Sequence, residues 1–375
     1  MGFSKTYTMR YNNDERTVLT LDAGGTNFVF AAIRGNQEVV KPVVLPSNAT
    51  NLDLCLKTIK EGFTTVKQKL KEEPVAISFA FPGPADYPNG IIGDLSNLPA
   101  FRGGIPLGPI LEEEFKIPVY INNDGDLYAY GEALAGYLPY VNDLMEKAGN
   151  DKRFNNLVGF TLGTGFGGGI VRNGELFIGD NSGAAEVWVL RNKINPKTNA
   201  EEGVSIRAIK RVYSELTKID LKDAPEPKDI YEIGVGKQAG DREAALEAFR
   251  QMGEVLGDAV SNVLTIVDGI AVLGGGIAGA SSLILPAMLK EMRGTYTNYN
   301  GDTYNRLAQK VFYLDDTNDL QQFIKGTTKE ILIPGTNRKV MYDSMARVGF
   351  GFSQIGTSKA IALGAYNFAL NKLDN

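Results

Sequence analysis

The chain has 375 residues, 43% apolar and 22% charged, with a formal net charge of −5, no histidine and one cysteine, Cys55. That length exceeds what one core usually organises and predicts two domains of roughly 150–200 residues, while an acidic balance with no Lys/Arg run points away from nucleic acid and anionic membranes and toward a small-molecule partner. The missing histidine excludes His-based triads, His general bases and His-containing zinc sites, and a single thiol supplies neither an all-thiolate zinc site nor an intramolecular disulfide.

Residues 1–16 are polar, without the apolar core of a signal peptide, and a cytoplasmic setting fits. Strands are expected at 16–21 and 28–34, joined as a hairpin through Asp22-Ala23-Gly24-Gly25-Thr26-Asn27, with a third at 38–42. Bare glycine backbone in such a turn lets main-chain N–H groups approach phosphoryl oxygens; Thr26 and Asn27 add side-chain donors, and Asp22 suits a hydrated divalent cation. A helix is expected over 53–71 and a buried strand over 75–80, which Pro82-Gly83-Pro84 breaks. A short helix over 109–115, a strand over 117–121 and a helix over 125–134, entered through Asn122-Asn123-Asp124, complete the first half.

The pattern restarts near residue 156. Strands at 157–162 and 169–171 flank a second glycine loop, Gly163-Thr164-Gly165-Phe166-Gly167-Gly168. Helices at 205–216 and 242–264 and a strand at 270–273 follow. Residues 269–289 carry no charge, but Gly274, Gly275, Gly276, Gly279 and Pro286 favour a strand, turn and helix over a membrane span. Residues 295–351 yield a strand at 310–314 and an irregular stretch at 315–338. A small-residue amphipathic helix over 358–373 closes the chain.

Each glycine loop taken alone also reads as an ordinary hairpin turn, and neither opens a helix as a dinucleotide fingerprint or P-loop does. Asp124 fits two roles, a helix N-cap or a base facing a reacting hydroxyl. Asp126 stands two positions on, where its charge would raise the proton affinity of Asp124 if both faced one cleft.

Together these segments resemble the ROK family of sugar kinases. Leu21 to Asn27 is similar to the family's first phosphate loop and Leu162 to Gly169 to its second. Ala80 to Asp86 with Ser96-Asn97-Leu98-Pro99 resembles the sugar-side loops, Asn123-Asp124 the catalytic pair, and Val272 to Ile277 the adenosine loop. The resemblance implies an α/β fold of two duplicated ribonuclease H-like, actin-like ATPase lobes around a central cleft. The lobes would be 1–135 with 356–375, and 136–355 with an insertion at 292–350.

It further implies ATP and magnesium as cofactors, Asp22 holding magnesium through water, and nucleotide contacts at Gly24, Gly25, Thr26, Asn27, Gly163, Thr164, Gly165, Gly167 and Gly274 to Gly276. Sugar contacts fall to Gly83, Asn97, Asn123, Asp124, Glu186 and Glu201, with Glu202 the alternative to Glu201, and a homodimer is implied. Phosphoryl transfer needs positioning and charge neutralisation more than a strong base, so an aspartate suffices. The chain departs from the pattern at Glu186-Val187-Trp188-Val189, where Val189 stands in place of a histidine, and at 195–200, where a cysteine cluster is missing; no structural zinc is expected. The expected activity is phosphorylation of a hexose or N-acetylhexosamine hydroxyl with Asp124 as base. A catalytically weak sugar or nucleotide sensor is the alternative, and a sugar-responsive transcriptional regulator is disfavoured by too few residues before the first strand.

Overall fold

The computed structural model describes residues 10–95 and 98–375, so Asn97 lies outside the described residues. Contacts divide the chain into two compact units, residues 1–140 with 169–185 and 354–375, and residues 141–168 with 186–353.

The first unit is built on β1 (Val18–Ala23), β2 (Asn27–Arg34), β3 (Gln37–Glu38), β4 (Val43–Pro46), α1 (Leu52–Lys67) and β5 (Ala76–Ala80). A two-stranded ribbon, β6 (Ala85–Asp86) and β7 (Ile91–Ile92), precedes α2 (Leu107–Phe115), β8 (Val119–Asn122) and α3 (Asp124–Leu134). The sheet runs β3-β2-β1-β5-β8, with β4 also on β2. β1 and β2 are antiparallel, whereas β1, β5 and β8 are parallel. Alternation along β1 sends Leu19 and Leu21 to one face and Val18 to the other, as a two-residue period requires. The first face buries an aromatic layer including Phe28, Phe30, Phe63, Phe79, Phe81 and Phe101. On the other, Val18, Ile33 and Ala76 pack against Tyr366, Ala369 and Leu370 of the C-terminal helix Thr357–Asp374.

That helix also crosses α3 at very short range. A Cβ on Gly131 would lie 1.9 Å from the Ala360 carbonyl oxygen, and one on Gly364 would lie 1.9 Å from that of Leu127. The small residues read from the sequence serve this crossing.

The chain continues through α4 (Tyr137–Lys147) to β9 (Asn156–Leu162), β10 (Phe166–Arg172) and β11 (Glu175–Leu176). Then come α5 (Ile206–Thr217), α6 (Pro227–Gly234), α7 (Arg242–Val267), β12 (Ile270–Gly274) and α8 (Ser281–Met292). The remaining elements are β13 (Thr295–Thr297), β14 (Thr303–Asn305), β15 (Lys310–Tyr313), α9 (Thr317–Lys325), β16 (Thr328–Leu332), β17 (Lys339–Asp343) and β18 (Arg347–Phe352). In the second unit β9, β12, β18 and β15 lie side by side in that order, all parallel. A hairpin leading into parallel strands thus recurs in both halves.

Two expectations are corrected. Residues 38–42 are not a strand; pairing stops at Glu38 and resumes at Val43, with Pro42 unable to donate to a ladder. The stretch 315–338 is not irregular. Asp316 caps α9 by accepting from Asn318 and Asp319 N–H, and β16 pairs with β17. The helices α4 and α6 and the strands β11, β13, β14 and β18 are among the additions to the elements expected. No described helix is long and apolar enough to cross a membrane.

Candidate active site

In the first unit, three parallel strands end level with one another. Asp22 on β1 is registered with Ala80 on β5, and Ala80 with Asn122 on β8. The residues that follow, Gly24 to Thr26, Phe81 to Gly83 and Asn123-Asp124, therefore emerge along one edge of the sheet. Carboxyl ends of parallel strands are where open α/β sheets place their ligands.

The Gly24–Gly25 bend is pinned from behind. Ser47, buried just after β4, donates its N–H to the Thr26 carbonyl at 2.9 Å and its hydroxyl to that of Gly25 at 2.5 Å. Gly24 is demanded by the turn, since a Cβ there would sit 2.8 Å from the Asn27 carbonyl oxygen. Gly25 is demanded by nothing among the described residues: a Cβ would meet none of their atoms within 4 Å. Thr26 and Asn27 are exposed, as is Asp22, which makes no hydrogen bond or ion pair among the described residues. An exposed, unpaired carboxylate beside bare backbone suits a hydrated divalent cation.

Asn123 is the N-cap of α3, its Oδ1 accepting from Gly125 N–H at 2.7 Å. Of the two roles open to Asp124, the capping position goes to its neighbour. Asp124 still accepts from Gly125 N–H at 2.9 Å, but its side chain is open to solvent. Its carboxyl nevertheless lies above the usual carboxylate range. Protein crowded around it thins the water that would solvate its charge and the charge of Asp22 adds to the rise, while Gly125 N–H pulls it back. Solvent access blunts the size of this effect and leaves its direction. Asp126, only 4% exposed, is packed inside α3 and is not solvent-facing like Asp124.

Gly83 is exposed after β5. The turn is held by Tyr87, whose hydroxyl donates to the Phe81 carbonyl at 3.0 Å and would sit 2.9 Å from a Cβ on Gly83. Gly169 packs on α3, where a Cβ would come 2.5 Å from the Gly125 carbonyl oxygen.

In the second unit the β9–β10 bend, with Thr164 exposed, closes through a 3.0 Å bond from Gly163 N–H to the Gly165 carbonyl. Glu201, on the turn Ala200–Glu202, accepts from Phe166 N–H at 3.1 Å through Oε2, and that oxygen would lie 2.7 Å from a Cβ on Gly165. Glu202 pairs with Arg207 at 2.5 Å, and the same guanidinium lies 3.5 Å from Glu201 Oε1. Glu201, not Glu202, is joined to the glycine bend. A Cβ on Gly167 would sit 2.5 Å from Thr161 Oγ1, so that glycine has a packing reason.

β12 delivers Gly274, Gly275 and Gly276 beside this bend. Gly275 has φ +95° and would place a Cβ 2.2 Å from the Leu162 carbonyl oxygen, a position only glycine fills. Gly163 and Gly276, like Gly25, have nothing within 4 Å of a would-be Cβ. At these three bends a glycine faces space that none of the described residues fills.

Glu186 is exposed, and Trp188 donates its indole N–H to Glu186 Oε2. Val189 is 54% exposed. At 191–200 a loop is organised around buried Asn192, whose Oδ1 accepts from Ile194 and Asn195 N–H, both at 3.0 Å. Asn192 N–H donates to the Thr198 carbonyl at 3.1 Å. Ser47, Tyr87 and Trp188 escaped the sequence reading, because the first two act through tertiary partners with no local motif and the third stood inside a segment read for its glutamate.

A model of the ROK family matches residues 18–312. The crystal structure of a glucokinase from Parabacteroides distasonis superposes with a TM-score of 0.88 at 53% identity, covering 97% of this chain and 99% of that one. The glucokinase of Thermotoga maritima is 27% identical over 283 residues, 71% of this chain and 84% of that protein. The N-acetyl-D-glucosamine kinase of Vibrio parahaemolyticus is 28% identical over 268 residues, 68% of this chain and 83% of that protein. With the family's match extending over most of its length, the chain belongs to the ROK family.

Proposed function

We propose that the protein is a sugar kinase that transfers the γ-phosphoryl group of ATP to a hydroxyl of glucose. The observation that carries this reading is the registered edge of the first unit. One exposed carboxylate, Asp22, and a second with raised proton affinity, Asp124, follow strands of the same parallel set. Support for glucose over N-acetylglucosamine comes from the 53% identity to the Parabacteroides glucokinase, against 28% to the Vibrio enzyme.

In this reading Asp124 accepts the proton of the attacking hydroxyl as oxygen bonds to the γ-phosphorus and ADP leaves. A carboxylate whose proton affinity is raised is a better proton acceptor than an ordinary one. Asn123, Gly83, Glu186 and Glu201 orient sugar hydroxyls. Gly25, Gly163 and Gly276 leave room for phosphate and adenosine to approach backbone N–H groups, beside Gly24, Thr26, Asn27, Thr164, Gly165, Gly167, Gly274 and Gly275. Asp22 would hold magnesium through water; the ion supplies neutralisation of charge on the transferring phosphoryl group.

The test is incubation with ATP, magnesium and a panel of glucose, N-acetylglucosamine, mannose and N-acetylmannosamine. Phosphorylation with glucose preferred supports the proposal. Sugar and ATP binding without turnover would favour a sensor, and an Asp124→Asn protein with full activity would remove the base from the scheme.

A further inference from the structure

The chain contains one tryptophan, Trp188. It is 40% exposed on the turn Val187–Val189, where Val187 is the buried anchor and Val189 is also exposed. The turn is therefore pinned by Val187 and presents the indole outward without burying it. The indole N–H is committed to a neighbour, since Nε1 donates to Oε2 of Glu186. Glu186 is itself exposed, so neither burial nor core packing requires the bond.

An exposed glutamate is free to sample many rotamers, and that freedom is lost when the carboxylate must meet a ligand. A hydrogen bond from a ring N–H to a charged oxygen is of the stronger kind and restricts the carboxylate beforehand. It occupies one oxygen and leaves the other to accept.

We propose that Trp188 is a positioning residue for sugar binding: its indole N–H holds Glu186 Oε2 so that Oε1 accepts a hydroxyl of the sugar. The proposal rests on the reading of Glu186 as a sugar contact. The indole lies against the carboxylate that receives the ligand, so its emission reports sugar binding, and with a single tryptophan all emission excited at 295 nm comes from Trp188.

The experiment uses the full chain and glucose, or whichever panel sugar the wild type phosphorylates. Sugar added without nucleotide should change Trp188 emission saturably, and Glu186→Gln should alter the emission of the sugar-free protein. Trp188→Phe, which keeps a ring and loses the N–H, should raise the sugar KM about tenfold with kcat within about twofold, the pattern of lost ground-state binding. Trp188→Gln, which keeps an N–H donor and loses the ring, should recover much of that loss.

The proposal is overturned if Trp188→Phe keeps the parental KM, if Phe preserves binding while Gln does not, or if calorimetry detects sugar binding with no change in emission. A wild type that neither binds nor phosphorylates any panel sugar sinks the kinase reading itself. An active wild type indifferent to Trp188 sinks this inference alone.

Discussion

Asp124 shows how one side chain ties stability to chemistry. Its carboxyl is raised above the ordinary range, so the ionised form is the one the fold disfavours. The favourable contribution is present below the ordinary value near 3.9 and is lost as pH rises through the raised one. At neutral pH the folded protein therefore bears a penalty that a neutral isostere removes. Asp124→Asn should cut kcat by roughly 10²–10⁴-fold while its thermal midpoint at pH 7 is no lower than the parent's. A lowered midpoint in calorimetry would contradict this account. The same shift places the acid limb of kcat/KM above the range of an ordinary aspartate. Because Asp22 contributes to the shift, Asp22→Asn should move the Asp124 carboxyl downward in an NMR titration of the free protein. The sequence alone left Asp124 between cap and base; the cap was assigned only by the Asn123 side chain reaching Gly125 N–H, a rotamer choice that no residue pattern encodes.

At the level of loops and helices, glycines that look alike in the sequence separate into two kinds. Gly24 is held by its turn and Gly25 faces empty space. Gly25→Ala should leave the urea midpoint unchanged and raise the KM for ATP, whereas Gly24→Ala should lower the midpoint. The α3 crossing with Thr357–Asp374 offers a sharper case. A methyl group on Gly364 meets the Leu127 carbonyl oxygen at 1.9 Å, and overpacking of this kind costs about 3 kcal/mol. Gly364→Ala should accordingly lower stability in denaturant titration, and it should lower activity too, because α3 begins at Asp124. The hairpins, their glycine bends and the parallel strands were legible because local periodicity and turn chemistry coincide there. Strand Glu38–Pro42 was misread because its apolar residues suit pairing while Pro42 forbids it, and only the register of β2 with β4 shows where pairing resumes.

For the molecule as a whole, length led to the expectation of two domains, but residues 292–350 resisted reading for a physical reason. The β16–β17 ribbon is exposed along nearly its whole length, with Met341 64% and Leu332 54% exposed. Without a buried face there is no alternation of apolar and polar residues to detect. Ligands that bind only the folded chain should stabilise it by mass action. Magnesium-ATP with glucose, each at about 100 times its dissociation constant, should raise the unfolding free energy by roughly 2.7 kcal/mol per ligand. A thermal shift absent with both present would refute the kinase proposal at this scale.

The helix Thr357–Asp374 has a consequence for biosynthesis. Residues translated more than three hundred codons after Val18 pack over Val18, Ile33 and Ala76, so the first unit's sheet waits on the ribosome with one greasy side uncovered. Such a nascent intermediate is a natural client for holdase chaperones. A message interrupted before the codon for Thr357 would release a product lacking this cover, so clearance by proteolysis, and not residual activity, should be the fate of such fragments.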